Sequence, residues 1–237
     1  MPTNEEVAIQ RAYYKDTAES YDAAHTQGKD EHYLGLRLLE AAIDYYDITS
    51  VLDVGAGTGR VARFLKPKHP SLKILSVEPV KELREVGHIR GLPEDELIEG
   101  DATKLQFADG AFDLVSEIGI LHHVRDPAAV VAEMLRVAKV GIFISDSNNF
   151  GQGSALWRAV KQSIDTLGLW KVADWFKTKG KGFQITEGDG LAYSYSVFNN
   201  YAQIARVCNT HVLNITPAGI NPYRTASHVA LIGIKKK

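Results

Sequence analysis

The stretch Val51-Leu52-Asp53-Val54-Gly55-Ala56-Gly57-Thr58-Gly59-Arg60 constrains this chain more than any other. It opens as a short apolar run of strand length, passes through three glycines spaced two apart, and leads directly into a helical pattern. Glycines in such a turn let the backbone bend tightly and approach a ligand where a Cβ would clash. A strand that turns through glycines into a helix is a unit of a mostly parallel α/β sheet. The spacing is G-x-G-x-G, whereas the dinucleotide fingerprint has its third glycine one place later, where this chain carries Arg60. A P-loop is excluded, because no Gly-Lys-Ser/Thr follows.

The rest of the chain continues the alternation. Apolar runs stand at 51–54, 73–77, 97–99, 112–115 and 141–145, with helical patterns at 59–66, 80–89 and 127–138 between them. An earlier helix is expected at 31–46, where Leu34, Leu38, Ala41, Ala42 and Tyr45 form one stripe. Asp126 and Pro127 make a cap and first turn for the helix at 127–138. The rhythm breaks at 147–200, which holds all three tryptophans, a helical stripe of Leu156, Trp157, Val160 and Ile164, and a turn at Glu187–Gly190 between short strands 183–186 and 191–197. A helix at 201–207 and strands at 212–215 and 229–234 follow.

Acidic residues sit where these strands end. Asp53 lies inside an apolar strand, and a buried carboxylate needs a partner: either the backbone of the glycine turn or a cationic ligand group. Glu78 ends the second strand about 20 residues beyond the glycines, the distance at which an acid in this architecture accepts bonds from ribose hydroxyls. Asp101, after the third strand, can accept from an exocyclic amine, with Ala102 offering a backbone N–H and Leu105 and Phe107 flanking a base. The fourth strand runs to Glu117 and continues as Ile118-Gly119-Ile120-Leu121-His122-His123-Val124 across the same end of the sheet.

Composition excludes several classes. Hydrophobic residues are 45% and charged residues 24% of 237, a globular balance rather than a disordered one. One cysteine, Cys208, rules out an internal disulfide and a cysteine-rich zinc site. A net charge of -2 gives no broad basic footprint for nucleic acid. No apolar run is long enough to span a bilayer, and the first residues do not read as a secretory signal, so a cytoplasmic location is expected. His122 and His123 are adjacent rather than one helical turn apart, so no metal site is expected.

Taken together, these residues resemble the class I S-adenosylmethionine-dependent methyltransferases. Val51–Arg60 looks like their first motif, Glu78 their ribose acid and Gly100-Asp101-Ala102 their adenine-side motif. Phe112-Asp113-Leu114-Val115 followed by Leu121-His122-His123-Val124 is similar to the ubiquinone/menaquinone-biosynthesis-like small-molecule branch, as are Tyr13-Tyr14 and Tyr21-Asp22 to its N-terminal closing segment. The resemblance covers about residues 10–146 and, more loosely, the last strands. Two departures stand out: Ala138-Lys139-Val140-Gly141 replaces the Lys-Pro-Gly-Gly turn of many relatives, and 147–200 matches no family motif.

The resemblance implies a Rossmann-like, seven-stranded, mostly parallel sheet with helices on both faces, a last antiparallel strand and an inserted cap after the fifth strand. As one domain it would divide into an N-terminal helical lid (1–46), a cofactor-binding core (47–146), a substrate-side insert (147–200) and a final helix and strands (201–237). S-adenosylmethionine, leaving as S-adenosylhomocysteine, would be held by Tyr14, Tyr21, Asp53, Gly55, Ala56, Gly57, Gly59, Glu78, Pro79, Asp101, Ala102 and Glu117. His122, His123 and Asp146 are the candidate catalytic groups, and Tyr193, Tyr195 and Trp157 candidate walls of an aromatic pocket. The expected reaction is in-line transfer of a methyl group to O, N or C of a small-molecule acceptor. The alternatives are a nicotinamide-dependent oxidoreductase and a non-catalytic cofactor-binding relative. A homodimer through the added segment is compatible with the sequence, which does not encode it.

Overall fold

A computed structural model describes residues 4–17, 31–186 and 190–236. Seven strands form one sheet: β1 (Ser50–Val54), β2 (Lys73–Val77), β3 (Leu97–Ile98), β4 (Phe112–Ile118), β5 (Ala138–Ser147), β8 (Cys208–Asn214) and β9 (His228–Lys235), in the spatial order β3-β2-β1-β4-β5-β9-β8. The pairings among β1 to β5 are parallel, and β9 runs antiparallel to both of its neighbours. A separate hairpin pairs β6 (Gln184–Thr186) with β7 (Gly190–Ala192).

Nine described helices surround these strands: α1 (Asn4–Thr17), α2 (Glu31–Tyr45), α3 (Arg60–Leu65), α4 (Lys81–Ile89), α5 (Pro127–Val137), α6 (Ala155–Thr166), α7 (Trp170–Lys177), α8 (Tyr201–Val207) and α9 (Pro222–Thr225). Each sheet face has its own apolar core. Leu36, Leu39 and Ile43 of α2 and Val61, Ala62 and Leu65 of α3 bury against one face. Val130, Val131, Met134 and Val137 of α5 and Ile204 of α8 bury against the other. Buried on both sides, the central strands are near-continuous apolar runs, as parallel strands require. Asp126 caps α5 by accepting from Ala129 N at 3.1 Å.

Three local readings change. Residues 138–140 are not a turn: β5 starts at Ala138 directly after α5, and Gly141 lies so close to β9 that a Cβ would stand 2.4 Å from the Gly233 carbonyl oxygen. Helix α8 is followed by a strand from Cys208 rather than from 212, because the edge strand β8 is polar on its open side and hides its period. The run 191–197 is strand only to Ala192, and 197–200 is a short helical turn capped by Ser196. Helix α7 is only eight residues long, and the sequence reading named no helix there.

Candidate cofactor and active site

The sheet order reverses between β1 and β4, and the carboxyl ends of strands at such a switch point flank a crevice. A cavity of about 210 Å³ opens there. Its wall includes Gly55 and Gly57 after β1, Glu78, Pro79, Val80 and Leu83 after β2, Asp101, Ala102 and Thr103 after β3, and Gly119, Ile120, His123, Val124 and Arg125 after β4. Glu6, Gln10 and Tyr14 of α1 and Leu191 and Tyr193 near the hairpin complete it.

The glycine turn is fixed from below by β2, since Gly55 N and Ala56 N both donate to the Val77 carbonyl, at 2.9 and 3.1 Å. Gly55 has φ +66°, and a Cβ there would lie 2.4 Å from Ile120 Cγ2. Gly59, at φ +76°, would place a Cβ 2.0 Å from Leu92 Cδ1. Both positions need glycine for conformation and for space. Gly55 thus opens the cavity wall toward Ile120, while Gly59 seats α3 against the sheet and does not line the cavity.

Glu78 is 5% exposed, and its two carboxylate oxygens accept from Gly57 N and Val80 N, each at 2.9 Å. The carboxylate is therefore held at the cavity wall between the glycine turn and the start of α4. Arg84 Nη1 donates to the Glu78 carbonyl at 2.7 Å. Asp101 Oδ1 accepts from Thr103 N and Oγ1 at 2.8 and 2.7 Å, which fixes the acid beside Ala102. Leu105 and Phe107 pack into the core instead of lining the cavity, whose apolar wall includes Val80, Leu83, Ile120 and Val124.

Asp53 lies behind the turn. It pairs in register with Ser76 of β2 and Ser116 of β4, and Ser116 Oγ donates to it at 3.0 Å. Burial pushes its carboxyl up to about 7, against the Ser116 bond and the Arg60 charge, with the Glu78 charge adding to the rise. Glu117 is fully buried and accepts from Ile120 N and Ser145 N, each at 3.1 Å. Burial and then the neighbouring Asp146 charge push its carboxyl well up.

Asp146 faces the 121–123 turn and does not line the cavity. It accepts from Leu121 N at 2.7 Å and from His122 Nδ1 at 2.6 Å. Burial would raise this carboxyl, but the His122 charge and hydrogen bond, with the Ser147 amide, outweigh it and hold the group below its usual range. His122 and His123 rings lie 3.9 Å apart between centroids. His123 reaches the cavity, with Nδ1 donating to the Leu191 carbonyl at 2.7 Å, so in the neutral ring Nε2 is the acceptor nitrogen. Of the three candidate catalytic residues, only His123 touches the cavity.

The sequence reading named Tyr14 in an N-terminal segment over the cofactor, and Tyr14 lines the cavity, but it missed the contacts that fasten that helix. Glu6 forms a bidentate pair with Arg125, and Gln10 Oε1 accepts from Leu191 N at 2.6 Å. Tyr14 stands edge-on to His123 at 5.9 Å. Tyr193 lines the cavity under Arg125, but Tyr195 is buried against Asn200 and Trp157 lies on a different groove. Tyr21 falls outside the described residues.

Residues 52–144 match the methyltransferase-domain family. The demethylmenaquinone methyltransferase of Renibacterium salmoninarum is 34% identical over 133 residues, covering 55% of this chain and 54% of that relative. The Thermotoga maritima demethylmenaquinone methyltransferase is 38% identical over 89 residues, 38% of each chain. The matches thus span about half the length of these curated relatives or less. A solved structure from Thermotoga maritima, described as an S-adenosylmethionine-dependent methyltransferase and possible histamine N-methyltransferase, superposes with a TM-score of 0.60 at 18% identity, over 95% of this chain and 99% of that one.

The strand order and the glycine turn are those of the class I S-adenosylmethionine-dependent methyltransferase fold. The matched core is similar to the methyltransferase-domain family and to the two demethylmenaquinone methyltransferases.

Proposed function

We propose that this chain transfers a methyl group from S-adenosylmethionine to a nucleophilic O, N or C atom of a small-molecule acceptor. The observation that carries this reading is the convergence on one cavity of the glycine turn, Glu78, and Asp101 with Ala102, each from a different strand end. The residues suit the donor. A buried carboxylate already fixed by two amides matches a vicinal diol, an acid beside a backbone N–H matches an adenine edge, and backbone bare of Cβ matches the methionine part. Asp53, with Gly59 and Ala56 behind the wall, supports the end of the site where an ammonium group would lie. Glu117 holds the 118–120 backbone that passes the cavity.

When bound, the donor supplies an electrophilic methyl group on a sulfonium sulfur. The chain's own contribution is alignment and exclusion of water. Helix α1 covers the cavity through Glu6, Gln10 and Tyr14, which is the lid role assigned to 1–46. His123 is the proton acceptor for an acceptor group that still carries its proton. His122 and Asp146 act as positioning residues, since their contacts fix the turn that carries His123. Residues 147–200 form the acceptor side, supported by Leu191 and Tyr193 on the wall. Among the described residues no helix is long and apolar enough to cross a membrane. A cytoplasmic location is part of the same reading, as the methyl donor is an intracellular metabolite.

The test is calorimetric titration with S-adenosylhomocysteine, with NADH in parallel. One-site binding of the former, weakened in Glu78→Ala and Asp101→Ala, is the expected result. NADH binding in its place would overturn the reading in favour of an oxidoreductase. A panel of quinol, amine and phenol acceptors then separates turnover from a cofactor-binding relative.

A further inference from the structure

The two helices α6 and α7 bury none of their side chains, and they carry an unusual load of exposed apolar residues. Leu156 is 74% exposed, Trp157 64%, Leu167 71%, Trp175 56% and Phe176 69%; Leu169 and Val172 are also more than half exposed. Helical geometry gathers them. In α6, Leu156, Trp157, Val160 and Ile164 fall on one arc, and Leu167 continues it just past the helix end. In α7, Val172, Trp175 and Phe176 fall on another. Exposed apolar residues gathered on helix faces in this number mark an interaction surface.

Charge identifies the partner. Between Gly153 and Phe183 the chain carries Arg158, Lys161, Lys171, Lys177, Lys179 and Lys181 against Asp165 and Asp174, a local net of +4 in a chain whose total is -2. Lys171, Lys179 and Lys181 are exposed and stand within a few residues of the aromatic arc in the chain. A groove of about 590 Å³ runs between the helices, lined by Trp157, Val160, Ile164 and Trp170 together with Lys161 and Lys177. An apolar face with tryptophan and phenylalanine, bordered by lysines, is the composition of a helix that lies in a membrane interface. The face is tied to the body by Gln162 to the Phe150 and Arg224 carbonyls, by Tyr223 to Asp165 and by Lys177 to Ser194, so docking here orients the whole domain.

We propose that α6 and α7 dock this protein on an anionic phospholipid bilayer, lying in its surface without spanning it. The aromatic and leucine side chains enter the interface, and the lysines meet the lipid phosphates and acidic headgroups. This stands independently of the methyl-transfer reading.

The experiment uses the purified full chain and sucrose-loaded vesicles of phosphatidylcholine, with or without phosphatidylglycerol. Sedimentation with the phosphatidylglycerol vesicles is expected, with at least about tenfold weaker partition on phosphatidylcholine alone and steep loss on adding salt. A blue shift of tryptophan emission should accompany it. The double variant Trp175→Ser/Phe176→Ser should weaken partition about tenfold or more on anionic vesicles. Lys171→Glu/Lys179→Glu should abolish the anionic preference. All four sites are surface positions, so S-adenosylhomocysteine titration of the variants should match the parent and serves as the check of folding. Failure to sediment with either vesicle, or equal partition of parent and variants, overturns the proposal. So does a lipid-free dimer that Trp175→Ser/Phe176→Ser dissociates, which would give the face to a second copy of the chain. Vesicle binding without S-adenosylhomocysteine binding would refute the cofactor reading alone.

Discussion

Asp53→Asn gives the sharpest test of the electrostatics under the glycine turn. Asp53 is 2% exposed, and burial raises its carboxyl from 3.8 to about 7. The folded pKa lies above the unfolded one, so the sign follows directly. Below about pH 4 the group is protonated in both states and costs nothing. As pH rises from about 4 to about 7 the unfolded chain releases the proton first and stability falls, by about 1.4 kcal/mol per unit. Above that window the loss reaches a plateau of roughly 4 kcal/mol, an upper figure because the denatured chain is itself partly compact. The amide of the variant keeps an oxygen for Ser116 Oγ and has no charge to bury. Urea unfolding at a series of pH values should therefore find Asp53→Asn close to the parent at the acid end and more stable by several kcal/mol at pH 8, reported as a difference between the two curves. A difference that stays constant across the window would refute the reasoning. If a cationic end of the cofactor lies near Asp53, S-adenosylhomocysteine binding should also release a proton in this window, and calorimetry in buffers of different ionisation enthalpy measures it.

Other perturbations follow from the same geometry. Glu78→Ala removes the acceptor of two backbone amides and the proposed diol partner, so S-adenosylhomocysteine affinity should fall by about tenfold or more; unchanged affinity by calorimetry would count against the assignment. Gly59→Ala forces an L side chain to φ +76° and into Leu92, and should destabilise the fold by about 2 kcal/mol or more in urea titration. Glu6→Gln loosens the pair to Arg125, which is partly exposed and screened, so stopped-flow should show faster ligand dissociation with little change in melting temperature. Asp146→Asn should lower kcat more than it raises the KM for the methyl donor, because the turn bearing His123 shifts while the glycine turn does not; a pure KM effect would place Asp146 in binding instead.

Much of the fold was legible because parallel strands write themselves as apolar runs and because each strand of the cofactor half ends in a residue out of keeping with its run. Val51–Arg60, Glu78 and Asp101 needed no partner elsewhere to be noticed. What escaped notice depends on long-range pairing. Glu6 meets Arg125 across 119 positions and Gln10 meets Leu191 across 181, and no local pattern announces either. Asp146 stood out correctly as a strand-end acid, but whether it faces the cavity or the 121–123 turn is a matter of rotamer and packing. Helix α7 was missed because eight residues give barely two turns, too few for the i, i+3, i+4 spacing of Val172, Trp175 and Phe176 to repeat. The seven-stranded order with one antiparallel strand followed from resemblance, since nothing in the local pattern of Val229–Ile234 specifies direction.

The contacts of α1 have a consequence in time. Glu6 and Gln10 fasten the N-terminal helix to Arg125 and Leu191, on two neighbouring segments that both line the cavity. Both fastenings join α1 to cavity-lining residues, and neither involves the glycine turn. On the function proposed above, release of the spent donor and entry of the next would both wait on the unlatching of α1.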